Sequence, residues 1–242
     1  MPRIVEQLAE GVTVYLADCR DVLPGLEAVD AVITDPPYGP MTHAGARSAQ
    51  ALDRPLVNFS PFAGDDLVRF CRRFVALAHR WVVLTCEWQH AARLESAGAP
   101  LVRLGVWIKL DSAPQFSGDR PAMGWEAVAL LHRDGRKRWN GGGARAVWTY
   151  PIERGLHPTQ KPEALVTEWV RSFTDPNETI LDPFMGSGTT GVVAAKLGRR
   201  FIGVEIDEAY FEVAVRRISD ALRQPRLFLP ERGPRRQDEF EL

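Results

Sequence analysis

Short β-branched segments alternate with amphipathic helical segments along most of the chain, and this alternation constrains the fold more than any other feature. Seven segments resemble strands, at residues 12–17, 29–34, 80–86, 101–109, 126–132, 178–182 and 200–204. Helical spacing of apolar residues predicts helices at 65–79, 88–97, 161–174, 189–198 and 207–222. We therefore predict an α/β fold, with one seven-stranded, mostly parallel sheet that carries helices on both faces.

Two long stretches interrupt the alternation, at residues 36–62 and 133–158, and both are rich in Pro, Gly and polar side chains. Loops of this length within a compact domain usually have a function or move. A chain of 242 residues favours one domain. We predict a domain over 1–223, with 36–62 as a lid and 133–158 as a second inserted loop. The charged segment 224–242 is predicted to be a poorly ordered tail.

Charge and cysteine content exclude several classes of protein. Lys and Arg total 30 against 31 Asp and Glu, so the chain is not a uniformly basic nucleic-acid coat. Residues 66–156 nevertheless carry 14 basic and 8 acidic side chains, which suits contact with a polyanion on one face. Three widely spaced cysteines indicate reduced thiols, and no Cys or His spacing indicates a metal site. Without a long apolar run, we predict a cytoplasmic protein with no membrane partner.

The segment Asp35-Pro36-Pro37-Tyr38 directly follows the predicted strand at 29–34. It is therefore expected at the carboxyl edge of the sheet, where open α/β sheets bind ligands. The prolines form a stiff corner that cannot continue the sheet. The Asp35 carboxylate and the Pro36 carbonyl could accept hydrogen bonds from an exocyclic amino group, while Tyr38 could stack on the same ring. A rigid surface turn is the alternative interpretation.

A second strand end leads into the glycine loop Asp182-Pro183-Phe184-Met185-Gly186-Ser187-Gly188-Thr189. Its glycines allow close backbone approach, and the amides at the start of a helix attract an anion. The loop lacks the lysine of a triphosphate-binding loop and the glycine spacing of a dinucleotide site, so it suits a small ligand with a carboxylate. Glu205 ends the next strand, where an acid can bind ribose hydroxyls, although a plain surface acid is the alternative.

The third segment is His157-Pro158-Thr159-Gln160-Lys161-Pro162, which leads into the helix predicted at 161–174. By itself it is also an ordinary helix start with a capping threonine. The motifs DPPYG, HPTQKP, DPFMGSGTT and GVEID, in this order, resemble the S-adenosylmethionine-dependent DNA amino-methyltransferases. The order is that of the β subgroup, in which the catalytic tetrapeptide precedes the cofactor loop.

The segments VWIKLDSAPQFSGDRPAMGWEAVALLHR and KRWNGGG also resemble the compact phage and prophage adenine-specific enzymes. The resemblance covers most of residues 12–222. It implies a single Rossmann-like methyltransferase domain with a circularly permuted motif order.

The resemblance further implies roles for individual residues. Asp35 and Pro36, in the corner completed by Pro37, would bind the amino group of a base flipped out of DNA, and Tyr38 would stack on that base. The residues implied to bind S-adenosylmethionine are Asp18, Thr159, Lys161, Asp182, Phe184, Gly186, Ser187, Gly188, Thr189 and Glu205. Asp18 follows Ala17, where relatives more often have glycine, and this departure weakens its assignment.

The two irregular stretches supply the candidates for DNA contact. Residues 133–145 carry five basic side chains and one acidic side chain, together with Trp139 and four glycines. Cationic groups suit phosphates, and the glycines allow close approach. A solvated basic hairpin is the alternative. The predicted DNA-contact residues are Arg47, Arg133, Arg136, Lys137, Arg138 and Arg145.

The leading prediction is an adenine-specific DNA methyltransferase that forms N6-methyladenine. Asp35 favours adenine, because cytosine enzymes of this family often have serine there. Methylation of the cytosine amino group is the first alternative, and a non-catalytic nucleic-acid-binding module is the second. A nicotinamide dehydrogenase is disfavoured by the glycine spacing. DNA is the expected partner, whereas the sequence leaves open a homodimer, which many relatives form, and a restriction endonuclease partner.

Overall fold

The computed structural model describes residues 3–37, 66–112, 114–115, 118–153 and 160–224. Within these residues, nine strands form one sheet in the order β1-β2-β9-β8-β3-β4-β6-β5-β7. The strands are β1 (Ile4–Ala9), β2 (Val12–Leu16), β3 (Ala31–Thr34), β4 (Trp81–Cys86), β5 (Leu101–Lys109), β6 (Trp125–His132), β7 (Val147–Tyr150), β8 (Thr179–Asp182) and β9 (Arg200–Glu205). Five of the eight strand pairings are parallel, so the expected mostly parallel sheet is confirmed.

The expected number of seven strands is wrong, because two edge strands were not recognised. β1 pairs antiparallel with β2 at one edge of the sheet, and its sequence IVEQLA is partly exposed and interrupted by polar residues. β7 pairs parallel with β5 at the other edge, inside the stretch 133–158 that we expected to be irregular. Edge strands are exposed to solvent on one side, so they lack the continuous apolar run by which buried strands are recognised.

Helices cover both faces of the sheet, as predicted. They are α1 (Cys19–Val22), α2 (Asp66–Leu77), α3 (Trp88–Ser96), α4 (Glu163–Phe173), α5 (Thr189–Lys196) and α6 (Glu208–Arg223), with a single 3-10 turn at Leu23–Gly25. Buried side chains of α1, α2 and α3 form one apolar core, and those of α4, α5 and α6 form the other. This two-sided arrangement is the doubly wound α/β architecture.

Three buried tryptophans fill the second core, beneath α4. Trp107 on β5, Trp148 on β7 and Trp169 on α4 are each 2% exposed, and the rings of Trp148 and Trp169 meet edge to face with centroids 5.7 Å apart. Large aromatic side chains bury much apolar surface, so these residues fix α4 against the β5–β7 side of the sheet. These three tryptophans therefore belong to the core and not to an exposed base-binding surface.

The direction of the strands places the loop ends. β2, β9, β8, β3 and β4 run parallel, and their carboxyl ends form one edge of the sheet, which we call the carboxyl edge. β6 runs antiparallel to β4, so its first residues lie at this edge and its last residues at the opposite, amino edge. The chain leaves β3 and β8 toward opposite sides of the sheet, and a crevice for ligands opens at such a point.

No helix of the described residues is long and apolar enough to cross a membrane. The three cysteines are free and buried, and burial raises the pKa of the Cys19 and Cys86 thiols to about 12. Among the described residues, no cluster of His, Cys, Asp and Glu has a geometry that could hold a metal ion.

Candidate active site

The carboxyl edge brings together the acids that follow four strands. Asp35 follows β3, Asp182 ends β8, Glu205 ends β9 and Asp18 follows β2. Thr34 and Asp182 stand on the adjacent strands β3 and β8, and the Thr34 hydroxyl donates a 2.7 Å hydrogen bond to Asp182 Oδ1. The two motifs that the sequence places far apart therefore meet at the centre of the sheet.

Asp35 occupies the start of the proline corner, and its two carboxylate oxygens have different donors. The Thr85 hydroxyl, from β4, donates to Oδ1, and the Lys161 ammonium lies 2.6 Å from Oδ2. Pro36 is buried and Pro37 is half-buried behind it, which keeps the corner in place. Because both oxygens are held, the carboxylate has a fixed orientation at the edge of the crevice. Tyr38 lies outside the described residues.

Lys161 lies against Asp35, whereas the resemblance implied a place beside the cofactor. Its ammonium is also 3.2 Å from Glu126 Oε2, at the start of β6, and Lys109, at the end of β5, donates to Glu126 Oε1 over 2.5 Å. Burial alone would lower the pKa of Lys161, but the carboxylates of Asp35 and Glu126 outweigh it, so the pKa is raised. Burial would raise the pKa of Glu126, but Lys161 and Lys109 hold it at about 2.

The glycine loop turns sharply between β8 and α5. Gly186 and Gly188 have φ of +51° and +80°, a conformation that favours glycine. A Cβ on Gly188 would lie 2.9 Å from the Ala214 Cβ of α6, so the loop also packs too closely for a side chain there. At Gly186, by contrast, a Cβ would meet no atom within 4 Å. The loop therefore presents bare backbone toward open space at the carboxyl edge, as a ligand with a carboxylate requires.

Arg217 of α6 fixes the same loop from behind. Its guanidinium donates to the Ser187 carbonyl at 2.6 Å, to the Ser187 hydroxyl at 3.0 Å and to the Thr189 hydroxyl at 3.3 Å. The Ser187 hydroxyl in turn contacts the Gln160 side chain at 3.5 Å. Ser187 and Thr189, predicted to bind the cofactor, are thus held by protein groups that fix the course of the loop.

Glu205 is buried directly beside the glycine loop. Oε2 accepts from the Gly186 amide at 2.8 Å, and Oε1 accepts from the amides of Ile206 and Asp207 at 2.8 and 2.9 Å. Burial raises the pKa of Glu205 to about 7 in spite of these hydrogen bonds. Oε1 thus already accepts two hydrogen bonds, whereas Oε2 accepts one and keeps a lone pair that can accept from a hydroxyl group.

Asp182 and Phe184 support the loop from within the protein. Asp182 is 4% exposed and accepts from Thr34 and, at 3.2 Å, from the Phe184 amide. Burial raises the pKa of this carboxyl to about 6. The ring of Phe184 meets those of Phe70 and Phe74 edge to face, with centroids 5.6 and 6.4 Å apart. Asp182 therefore joins the two central strands through its side chain.

Asp18 caps the short helix α1 by accepting from the Arg20 amide at 2.8 Å, and its carboxylate also pairs with the Arg20 guanidinium. The hydrogen bond from the Arg20 side chain is the main reason why the pKa of Asp18 is lowered. β2 lies beside β9, and the Ala17 amide donates to the Glu205 carbonyl at 2.8 Å. Asp18 is therefore on the same side of the crevice as Glu205, where the resemblance placed the cofactor's adenosine.

The basic segment that follows β6 lies at the amino edge, opposite Asp35 and the glycine loop. Arg138 pairs with Asp175 at 2.5 Å, and its carbonyl accepts from the Trp81 indole at 2.5 Å. Arg133 contacts His79, also at this edge, and the Lys137 ammonium contacts the Gly135 carbonyl. A base bound at Asp35 would bring DNA to the opposite edge, so this placement argues against phosphate contact by Arg133, Arg136, Lys137 and Arg138, which stays a prediction. Arg145 precedes the edge strand β7.

We expect the triple substitution of Arg136, Lys137 and Arg138 by glutamine to leave the salt dependence of DNA binding unchanged. The slope of log affinity against log salt reports how many phosphates are neutralised. Filter binding or fluorescence anisotropy over a salt series measures it, with the unsubstituted chain as control. A shallower slope would show that this segment contacts phosphates, as the sequence suggested.

Sequence reasoning missed four residues of the site, namely Thr85, Lys109, Glu126 and Arg217. Glu126 is the one that the sequence could have indicated, since it is a charged residue near the start of an otherwise apolar strand. The other three stand on strands or helices whose neighbours depend on the order of the sheet. Of the predicted residues, Tyr38, Arg47 and Thr159 lie outside the described residues, as do nearly all of the lid 36–62 and of the tail 224–242.

Comparison with known proteins agrees with this geometry. A family model described as DNA methylase, which covers N6 and N4 amino-methyltransferases, matches residues 91–216. The Type II methyltransferase M2.LlaDCHI of Lactococcus lactis subsp. cremoris is 29% identical over 225 residues, covering 80% of this chain and 83% of the relative. M2.DpnII of Streptococcus pneumoniae is 28% identical over 224 residues, covering 79% and 83%.

Solved structures show the same fold. The M1.HpyAVI–SAM complex superposes with a TM-score of 0.66 at 26% identity, over 86% of this chain and 98% of that one. The PvuII cytosine-N4-specific DNA methyltransferase, at 15% identity, shares the fold with a TM-score of 0.65. The fold and the site together define a Rossmann-like methyltransferase. The chain belongs to the DNA methylase family, the amino-methyltransferases that use S-adenosylmethionine.

Proposed function

We propose that this protein methylates the exocyclic amino group of adenine in DNA, forming N6-methyladenine. The observation that carries the proposal is the Asp35 carboxylate, held at both oxygens at the start of a proline corner that faces the crevice. A carboxylate accepts an N–H group of an exocyclic amine well. Asp at this position favours adenine, because cytosine enzymes of this family often have serine there. The named relatives are Type II methyltransferases, which fits a cytoplasmic role in restriction–modification.

The residues of the glycine loop fit S-adenosylmethionine. The bare backbone at Gly186 faces open space that can receive the carboxylate of the methionine end, and Glu205 lies 2.8 Å from the Gly186 amide, where ribose hydroxyls can reach it. In this proposal Asp18, two residues after β2, accepts a hydrogen bond from the amino group of the cofactor's own adenine. When bound, the cofactor supplies an electrophilic methyl group on a positively charged sulfur.

Asp35 and Pro36 activate the target by orientation. The lone pair of an exocyclic amino nitrogen is delocalised into the ring, so the nitrogen is a weak nucleophile. Hydrogen bonds from its two N–H groups to the Asp35 carboxylate and the Pro36 carbonyl favour a tetrahedral nitrogen whose lone pair points away from the ring. Holding this geometry lowers the barrier through orientation and electrostatics, without a covalent enzyme intermediate. The methylated nitrogen then releases one proton.

The target base must leave the duplex to reach Asp35. Extrusion costs a few kcal/mol, and stacking on Tyr38 would offset part of that cost. The carboxyl edge is the face of the protein that receives the DNA. Arg47, in the segment predicted as a lid, stays a candidate for phosphate contact on this face.

Nucleoside mass spectrometry of unmethylated DNA, incubated with the protein and S-adenosylmethionine, tests the proposal. We expect N6-methyladenine, and none in a reaction without the cofactor. N4-methylcytosine would overturn the choice of base and keep the mechanism, since the family includes enzymes of both kinds. The absence of any methylated base from single- and double-stranded DNA would overturn the activity and favour the non-catalytic binding module.

A further inference from the structure

A chain of alternating charges runs from the catalytic corner into the protein. Asp35, Lys161, Glu126 and Lys109 follow one another, with contacts of 2.6, 3.2 and 2.5 Å. They come from the proline corner, the segment before α4, the start of β6 and the end of β5. Two carboxylates and two ammonium groups leave the cluster neutral, and each carboxylate contacts at least one ammonium. We call these four side chains the charge cluster.

Asp35 is the most exposed member of the charge cluster, and Lys161 is the most buried. The Lys161 side chain is 8% exposed, Glu126 16% and Lys109 19%, whereas Asp35 is 28% exposed. The buried ring of Trp107 covers the cluster from one side, with the ammonium groups of Lys109 and Lys161 5.0 and 5.8 Å from its centroid. Asp35 is therefore the member that can meet a ligand, and the other three lie behind it.

Fold stability alone gives little reason for such a cluster. Replacing a buried ion pair by apolar side chains is often neutral or stabilising, because charges lose their hydration when they are buried. Its Lys109–Glu126 pair links β5 and β6, two strands that already pair through the backbone. What it does is hold one oxygen of Asp35, while Thr85 holds the other.

We propose that Lys161 is a positioning residue for methyl transfer, and that Glu126, supported by Lys109, acts through Lys161 to hold the Asp35 carboxylate toward the target amino group. This inference rests on the role of Asp35 in the proposed function. Lys161 contacts the carboxylate at Oδ2 and prevents it from turning away from the crevice. A rigid acceptor accelerates the reaction more than a mobile one, because its geometry is fixed before the reaction starts.

The charges around Lys161 predict a distinctive pH profile. Among the described residues, the carboxylates of Asp35 and Glu126 face its ammonium, and Lys109 faces Glu126 from the next strand. These carboxylates raise the pKa of Lys161. Neutralising Glu126 removes one of them, while burial continues to favour the neutral amine. The pKa of Lys161 then falls, and its hold on Asp35 is lost at alkaline pH.

The test is the single-turnover rate of methyl transfer to DNA, measured from about pH 6 to about pH 10. For Glu126→Gln we expect a rate on the order of 10-fold below wild type at neutral pH. We also expect a further decline toward alkaline pH that the wild type does not show. Cofactor affinity, measured by calorimetry, should stay within about two-fold, because Glu126 does not touch the glycine loop.

Glu178→Gln is the matched control. Glu178 is as buried as Glu126, at 17% exposure, and pairs with Arg80 at 2.5 Å, but at the amino edge of the sheet. A purely structural effect of losing a buried carboxylate would appear in both variants. We expect Glu178→Gln to keep the wild-type pH profile. A wild-type profile in Glu126→Gln, or the same alkaline decline in Glu178→Gln, would overturn the inference.

A double substitution tests whether Glu126 acts through Lys161. In a Lys161→Met background, adding Glu126→Gln should cause no further loss of rate, because the residue through which Glu126 acts is already gone. A full additional loss would overturn the inference. All rates are measured as total methyl groups on DNA, so they do not depend on which base is methylated. A wild-type chain that transfers no methyl group would instead overturn the proposed function, and with it this inference.

Discussion

Asp35→Ala is expected to lower the rate of methyl transfer by a factor on the order of 10³ or more, since removing one preorganised electrostatic group commonly costs that much. Alanine cannot accept the amino hydrogens, and it also leaves the Lys161 ammonium facing the crevice with one partner fewer. Cofactor affinity should change by no more than a few-fold, because Asp35 follows β3 while the glycine loop follows β8. Single-turnover kinetics and calorimetry measure the two effects separately.

Asp220→Ala provides the control for this substitution. Asp220 is exposed on α6, where it pairs with Arg223 at 3.2 Å, and it is remote from the carboxyl-edge acids. Its loss should leave the rate unchanged. Asp35→Asn is a second informative variant, since the amide keeps the size of the side chain but presents a donor where an acceptor is needed. Retention of turnover in either Asp35 variant would remove this carboxylate from the mechanism.

Glu205→Gln is expected to weaken the binding of S-adenosylmethionine by about 10- to 100-fold, the range for losing hydrogen bonds to a charged group. The cofactor affinity of the wild type should also rise with pH through about 7, where Glu205 ionises. Below that pH the carboxyl must first lose its proton before Oε2 can accept from a ribose hydroxyl. Calorimetric titrations between about pH 6 and about pH 8 should show this rise in the wild type and no rise in Glu205→Gln.

Glu208→Gln is the control for Glu205, because it changes an exposed acid in the first turn of α6, only three positions away. It should bind the cofactor with wild-type affinity and pH dependence. If Glu205→Gln also bound with wild-type affinity, the ribose assignment would be wrong. A flat affinity profile in the wild type would show that Glu205 does not ionise near neutral pH in the cofactor complex.

The same carboxyl makes the stability of the cofactor-free protein depend on pH. Burial raises the pKa of Glu205 from its ordinary 4.5 to about 7, so between these values the folded state binds more protons than the unfolded state. The free energy of unfolding therefore falls as the pH rises from 4.5 to about 7, where the buried carboxyl becomes charged. A hydroxyl group of the bound cofactor would add a further donor to the three backbone amides that already face this charge.

The strand ends could be predicted from the sequence because each of them is a local pattern. Asp35, Asp182 and Glu205 each come at the end of a buried apolar strand, and parallel strands bring their carboxyl ends to one edge. Glu126 could not be assigned in this way. It enters the site at the amino end of β6, and only the antiparallel pairing of β6 with β4 turns that end toward Asp35.

The same reversal of strand direction determines at which edge the basic segment lies. Arg136, Lys137 and Arg138 form a charge run that composition alone connects with DNA, yet the run follows β6 and so lies at the amino edge. A run of basic residues indicates that a segment is solvated or pairs with acidic groups. Here Arg138 pairs with an acidic group of the protein itself, Asp175. Which edge of a sheet receives a loop depends on strand direction, and a propensity pattern carries no information about direction.

The hydrogen bond between Thr34 and Asp182 joins residues 148 positions apart, and it has a consequence for how the protein is made. The two central strands of the sheet, β3 and β8, come from opposite parts of the chain, so a ribosome must synthesise most of the protein before they can pair. Long-range pairings of this kind form slowly, because the entropic cost of closing the loop comes before the contacts that compensate for it. We expect the N-terminal part to remain an incomplete sheet until β8 is made. The proline corner and the glycine loop should then become ordered together in a late, cooperative step.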